Sequence, residues 1–168
     1  GGKVIIPAGI WLTGPIILKS NIELHAEAGA IIKFSIDKSL YPLVETSFEG
    51  LNTWRCISPI YGKNLENVAF TGKGVWDGSG EVWRQVKKSK LTDSQWKKFI
   101  GSGGVLNEKK DTWYPSEVFM KASIGADQNV RLDLKTKADF EAIHDFLRPV
   151  LASIQIIKRV LFYGPTFQ

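Results

Sequence analysis

The chain holds a single cysteine, Cys56, and only two histidines, His25 and His144, far apart in sequence. One cysteine excludes an internal disulfide and any cysteine-based metal cluster. The histidines have no metal-ligand spacing, so no metal site is expected. Cys56, beside Ile57, reads as a small buried hydrophobe. No apolar run approaches the ~20 residues that span a membrane. A charged-then-apolar leader is missing, and so is an initiator methionine, so the true beginning is read as lying elsewhere and export is not excluded. Basic clusters are scarce too. The net charge is +5, but the lysines are interleaved with acids, and the one dense run, Lys87-Lys88-Ser89-Lys90, is short and has no nucleic-acid module beside it. Neither nucleic acid nor a membrane is expected as a partner.

What is present suits an ordinary globular chain. It has 168 residues, 43% hydrophobic and 23% charged, enough for one domain with a real core. Residues 1–35 alternate short aliphatic runs (Val4-Ile5-Ile6, Ile10-Trp11-Leu12, Ile16-Ile17-Leu18, Ala30-Ile31-Ile32) with Gly, Pro and Asn, the pattern of short strands between turns. Several of these runs are apolar without alternation, as in parallel strands covered on both faces.

A weak repeat points to stacking. Asn21-Ile22-Glu23-Leu24-His25-Ala26, Asn67-Val68-Ala69-Phe70-Thr71-Gly72 and Arg159-Val160-Leu161-Phe162-Tyr163-Gly164 share a polar–aliphatic–x–apolar–x–small pattern. The first two are spaced as two turns of about 23 residues, a solenoid period in which each repeat buries its face on the next. Asn at the start of a rung suits a turn, since it tolerates the left-handed region. A β-sandwich would call for more alternation and for Asn-Gly hairpins, and no Asn-Gly occurs.

From Glu81 the rhythm changes. Residues 81–88 read as helical, with Val82, Trp83 and Val86 on one face. Thr92-Asp93-Ser94-Gln95 has capping-box spacing and opens a helix through Trp96, Phe99 and Ile100 to Gly101. Residues 102–117 read as loop, and 136–147 as a helix with Phe140, Ile143, Phe146 and Leu147 on its apolar face. The chain is therefore read as one β-solenoid domain, with rungs over about 1–80 and 150–168 and a helix- and loop-rich excursion over about 81–147. Excursions from a rigid scaffold tend to carry binding function.

The densest stretch is Gly74-Val75-Trp76-Asp77-Gly78-Ser79-Gly80-Glu81-Val82-Trp83. By local chemistry it is a tight turn, with Asp77 bonding its own downstream backbone and Glu81 a second turn carboxylate. Together with Asn67-Val68-Ala69-Phe70-Thr71-Gly72 before it, the run resembles the N-terminal signature of glycoside hydrolase family 28, the polygalacturonases. The matching positions are Gly74, Asp77, Gly78, Gly80 and Trp83. The opening Gly1-Gly2-Lys3-Val4-Ile5-Ile6-Pro7-Ala8-Gly9 and the later Phe146-Leu147-Arg148-Pro149 resemble the same family.

The resemblance implies an all-β, right-handed parallel β-helix, truncated and with a helical insertion. It also implies a secreted or periplasmic parent enzyme that hydrolyses pectin, an acidic plant cell-wall polysaccharide, with inversion and without a cofactor. One carboxylic acid protonates the leaving oxygen while carboxylate bases activate a water. The family's catalytic motifs are missing here. Asn52-Thr53 is followed by Trp54 rather than Asp, no Asp-Asp pair occurs, neither histidine is flanked by glycines, and Lys158-Arg159-Val160 is no Arg-Ile-Lys. The expected catalytic set within these residues is therefore empty, the chain alone is expected to be inactive, and the catalytic aspartates of the parent are expected outside it. The alternative is a non-catalytic carbohydrate-binding or structural β-solenoid. Trp113 and Tyr114, in the excursion, are the candidate sugar-stacking residues.

Overall fold

Short β-branched runs form short strands. A computed structural model describes residues 1–48, 50–124, 126 and 130–168. The first strands are β1 (Gly2–Ile6), β2 (Gly9–Thr13), β3 (Ile16–Ile17), β4 (Ile22–Ala26) and β5 (Ala30–Phe34). A hairpin follows, β6 (Leu43–Phe48) and β7 (Leu51–Cys56), then the long β8 (Ile60–Gly72) and β9 (Val75–Asp77). Next come β10 (Val86–Lys87), α1 (Asp93–Gly101), β11 (Val105–Leu106), β12 (Thr112–Tyr114), α2 (Glu117–Ser123) and α3 (Lys137–Glu141). The last strands are β13 (Ala152–Tyr163) and β14 (Thr166–Phe167). These elements form two compact units, one of residues 1–42, 57–80 and 149–168, the other of residues 43–56 and 81–148.

The first unit is a parallel β-helix. One sheet has the order β1-β4-β8-β13, with β3 also beside β8, and the other has the order β2-β5-β9-β14. Every pairing in both is parallel. Each rung gives a strand to each sheet, so residues at matching positions stack. Leu24 lies beside Phe70 and Phe70 beside Phe162, while Ile32 lies beside Trp76 and Trp76 beside Phe167. The inward columns form the core, in which Phe34, Ile60, Phe70 and Trp76 are fully buried. Trp76 stacks on Phe34 (6.4 Å) and on Phe167 (6.3 Å) and meets Phe70 edge-on (5.5 Å).

Two turn columns hold the rungs in register. Asn21, Asn67 and Arg159 all have left-handed backbone, with φ of 61°, 55° and 66°. Asn67 Nδ2 donates to Asn21 Oδ1 (2.6 Å), and Arg159 Nε donates to Asn67 Oδ1 (2.5 Å). Asparagine tolerates this region because its short amide bonds locally, and here the amides also bond each other along the stack. At the opposite end of these strands, Ala26 pairs with Gly72. A Cβ built on Gly72, at φ +87°, would lie 2.0 Å from the Ala26 carbonyl oxygen.

The repeat proves to be one long step and not two turns of 23. Ile22 pairs directly with Val68, so the 46-residue spacing is a single step between neighbouring rungs. The step is long because residues 43–56 leave the first unit for the second. The next step, from Asn67 to Arg159, is 92 residues and encloses all of 81–148.

A second left-handed column pairs Asn64 (φ 56°) with Ile156 (φ 53°). A β-branched residue is an outlier there, and Ile156, 72% exposed, recovers little by burial. Ile156→Asn is expected to stabilise the protein by about 1 kcal/mol. A thermal melt should record a rise in Tm of roughly 2–4 °C; a Tm at or below that of the parent would show that the isoleucine is unstrained.

In the second unit β6 and β7 form an antiparallel hairpin, and β10, β12 and β11 a small antiparallel sheet in that order. The Arg55 guanidinium sits 4.1 Å from the Phe48 ring centroid and donates from Nε to the Arg148 carbonyl (2.9 Å). The capping box of α1 forms as expected, with Thr92 Oγ1 accepting from the Gln95 N–H and the Gln95 side chain accepting from the Thr92 N–H.

Three sequence expectations are corrected here. Residues 81–88 form a 3₁₀ turn (Gly80–Trp83) followed by β10, because Val86 and Lys87 pair with Trp113 and Thr112. Strand pairing overrides a weak helical periodicity. For the same reason the loop expected at 102–117 contains β11 and β12. The helix expected over 136–147 starts with a Thr136–Asp139 capping box but stops as α3, and a 3₁₀ turn (His144–Phe146) follows. This break leaves the Leu147 carbonyl to accept the Cys56 N–H (3.1 Å), and Phe146 and Leu147 are buried.

Candidate functional site

Register places charged and polar side chains in a row on the outer face of the β1-β4-β8-β13 sheet. Inward and outward residues alternate along a strand, so Leu24 and Phe70 point in while Glu23, His25 and Thr71 point out. Lys3 lies beside Glu23, and His25 beside Thr71. Lys3 Nζ is 3.0 Å from Glu23 Oε1. The Thr71 hydroxyl donates to the same oxygen (2.6 Å), which leaves its lone pairs for the Nδ1–H of His25 (2.6 Å). The network assigns that tautomer. The hydrogen bond from Thr71, then that from Lys3, holds the Glu23 carboxyl below its ordinary value. Glu23 is thus an ionised acceptor, suited to binding hydroxyls and, carrying no proton, unsuited to acting as a general acid.

Beside this row lies a shallow groove of about 440 Å³ that crosses the strands at the asparagine column, lined by Asn21, Glu23, Asn67, Ala69, Arg159 and Leu161 among others. The Asn21, Asn67 and Arg159 column runs through it parallel to the stack, with Ile22, Val68 and Val160 also in its lining. Sequence reading missed the row because Lys3, Glu23, His25 and Thr71 share no local motif. Only the 46-residue register, taken as one step, brings His25 to Thr71.

Asp77 is the turn residue that its local chemistry predicts. Its Oδ1 accepts the Ser79 N–H (2.9 Å) and its Oδ2 takes Lys33 Nζ (3.0 Å). Burial pushes its carboxyl up, but the Ser79 and Lys33 contacts outweigh this and the net shift is down. Gly74 has no room for a side chain, since a Cβ would lie 2.4 Å from Ala26 Cβ, whereas a Cβ on Gly78 would crowd only the movable Leu151 Cδ1, at 2.8 Å. Gly80 and Trp83 bound the 3₁₀ turn, with Trp83 buried and Glu81 exposed between them. His144 lies in the second unit, where its Nε2 is 3.5 Å from Cys56 Sγ.

Trp113 and Tyr114 sit side by side in β12. The Trp113 indole N–H donates to the Gly103 carbonyl (2.7 Å), and its ring meets Phe99 edge-on (5.1 Å). At 6% exposure it is a packing residue with little ring face left for a sugar. Tyr114 is half-buried, tilted against Phe119 (6.2 Å).

No family model matches the chain. A probable polygalacturonase from Vitis vinifera is 35% identical over 91 residues, 51% of this chain and 18% of that protein. The crystal structure of a hyperthermoactive exopolygalacturonase from Thermotoga maritima aligns over 99% of this chain at 33% identity and a TM-score of 0.59. A family 28 exopolygalacturonase from Yersinia enterocolitica aligns over 98% at 22% identity and a TM-score of 0.57, a likeness of fold. The chain spans 34% and 29% of the lengths of those two structures.

Proposed function

Since this chain is homologous to the polygalacturonases of glycoside hydrolase family 28, we propose that it serves in a secreted or periplasmic enzyme that hydrolyses the glycosidic bonds of pectin, galacturonan or rhamnogalacturonan, by inverting acid/base chemistry. The observation that carries this reading is the alignment with an exopolygalacturonase through nearly the whole chain, rung upon rung, at an identity above mere fold likeness. In this reading the 168 residues supply scaffold and substrate contacts, and the catalytic aspartates lie outside them.

Among the described carboxylates whose pKa departs from its ordinary value, none has the raised value of a general acid. A glycosidase needs one carboxyl held protonated near neutral pH, which requires a raised pKa. Glu23, Asp37, Asp77, Asp111, Glu117, Asp133 and Asp139 are all shifted the other way. Each is stabilised as an anion by hydrogen-bond donors, and none is suited to protonating a leaving group.

The test is release of reducing ends from polygalacturonate. The 168-residue chain is expected to release none above buffer, and a longer product of the same reading frame is expected to release them with inverted anomeric configuration. Failure of the longer product to cut would leave the binding solenoid as the better account. A calcium-dependent product that absorbs in the ultraviolet would instead make the protein a lyase.

A further inference from the structure

We infer that Arg148 and Arg84, in the second unit, form a binding pocket for the carboxylate of a uronate residue. The pocket encloses about 530 Å³, and its lining includes Trp83, Arg84, Gln85, Tyr114, Ser123 and Arg148. That size falls within the range of small-molecule binding sites.

Charge is the first argument. Arg148 is half-buried and Arg84 exposed. Among the described residues neither guanidinium has a carboxylate partner, while Arg131, by contrast, is paired with Asp133 at 2.5 Å. Burial, and then the positive charge of Arg84, lower the Arg148 pKa from its ordinary value. A half-buried cation beside a second cation gains from an anion placed between the two, which offsets both the partial desolvation and the repulsion. The planar guanidinium fork matches a carboxylate with two parallel hydrogen bonds.

The walls supply the second argument. Tyr114, half-buried, is the aromatic ring of the lining with surface left to meet the C–H face of a pyranose ring, and Trp83, Phe119 and Phe146 are buried behind it. Phe119 and Phe146 meet edge-on at 5.4 Å, and Trp113 precedes Tyr114 in the same strand, so the wall is fixed by packing. Ser123 and Gln85 offer hydroxyl and amide groups to ring hydroxyls. An anionic group, an apolar ring face and several hydroxyls together describe a uronic acid better than inorganic phosphate. The choice of uronate rests on the pectin reading given above.

The test titrates the 168-residue chain at low salt with trigalacturonate, galactotriose and inorganic phosphate, followed by calorimetry and tryptophan fluorescence. Trigalacturonate is expected to bind, with its affinity lowered about tenfold or more in Arg148→Gln and several-fold in Arg84→Gln, as loss of a charge-assisted fork implies. Galactotriose, which has the rings without the carboxylates, is expected to bind far more weakly. Arg148→Gln removes an unpaired charge, so its Tm should not fall; Arg84 is exposed and provides a variant with no folding risk.

Undiminished trigalacturonate binding in both variants would eliminate this pocket while leaving the pectin reading intact. Arginine-dependent binding of phosphate, tighter than that of trigalacturonate, would overturn the uronate assignment. Failure of the chain to bind trigalacturonate at all would overturn the site, whatever a longer protein does to polygalacturonate.

Discussion

Trp76→Ala is expected to destabilise the protein by about 3–5 kcal/mol, the cost of emptying a large aromatic site in a packed core. Trp76 is fully buried, with rings on several sides, and neighbouring rungs lie above and below it. Its burial removes roughly 150–250 Å² from water, about 4–6 kcal/mol at the usual coefficient. The indole Nε1, however, has no hydrogen-bond partner among the described residues. An unpaired buried donor costs about 1–3 kcal/mol, so the native residue already carries a penalty that phenylalanine lacks. Trp76→Phe is thus expected to cost less than about 1.5 kcal/mol, because the released penalty offsets much of the lost volume. Urea unfolding of the two variants separates these terms. Equal losses for Phe and Ala would mean that the indole N–H is satisfied, for instance by a buried water.

Gly72→Ala is expected to have the next largest effect, a loss of about 3–4 kcal/mol from backbone strain and overpacking together. Two separate conditions make the position specific to glycine. Its φ of +87° lies in the left-handed region, and the added methyl would sit 2.0 Å from a main-chain oxygen that cannot swing aside. The same constraint recurs one rung on, where a Cβ on Gly164, at φ +93°, would lie 2.5 Å from the Gly72 oxygen. Gly101 is the control. It ends α1 with nothing within 4 Å of its added Cβ, and Gly101→Ala should change stability by no more than about 0.5–1 kcal/mol, with a gain as the expected sign. If Gly72→Ala unfolds within about 0.5 kcal/mol of the parent, the usual effect of a surface change, the Ala26–Gly72–Gly164 column is looser than its geometry indicates.

The features legible in the sequence are those governed by neighbours in the chain. The Asn21, Asn67 and Arg159 repeat marked a stack, because a left-handed turn restricts residue type locally. Thr92 with Gln95 marked a helix start, and Asp77 marked a turn, for the same reason. What escaped depends on partners distant in sequence. Val86 and Lys87 become a strand only because Thr112 and Trp113 lie beside them, and residues 43–56 join the second unit through pairing and packing that no local pattern announces. The polar row was hidden likewise, since Glu23 and His25 acquire meaning only next to Lys3 and Thr71. The Arg148 pocket was the least visible, because a cation without a partner cannot be recognised until its surroundings are known.

The uneven steps of the β1-β4-β8-β13 ladder bear on how the chain folds. Gly2 pairs with Ile22, Ile22 with Val68 and Val68 with Val160, so successive closures span about 20, then 46, then 92 residues. Closure entropy grows only with the logarithm of length, and the last step costs about 1.3 kcal/mol more than the first. Time is affected more than stability, since distant pairings form slowly. During synthesis the early rungs emerge first, and β8 must wait, its free edge unpaired, until more than eighty further residues have been made. Over that interval any other strand can compete for the edge, so the long excursion sets the period in which the nascent chain is most open to mispairing.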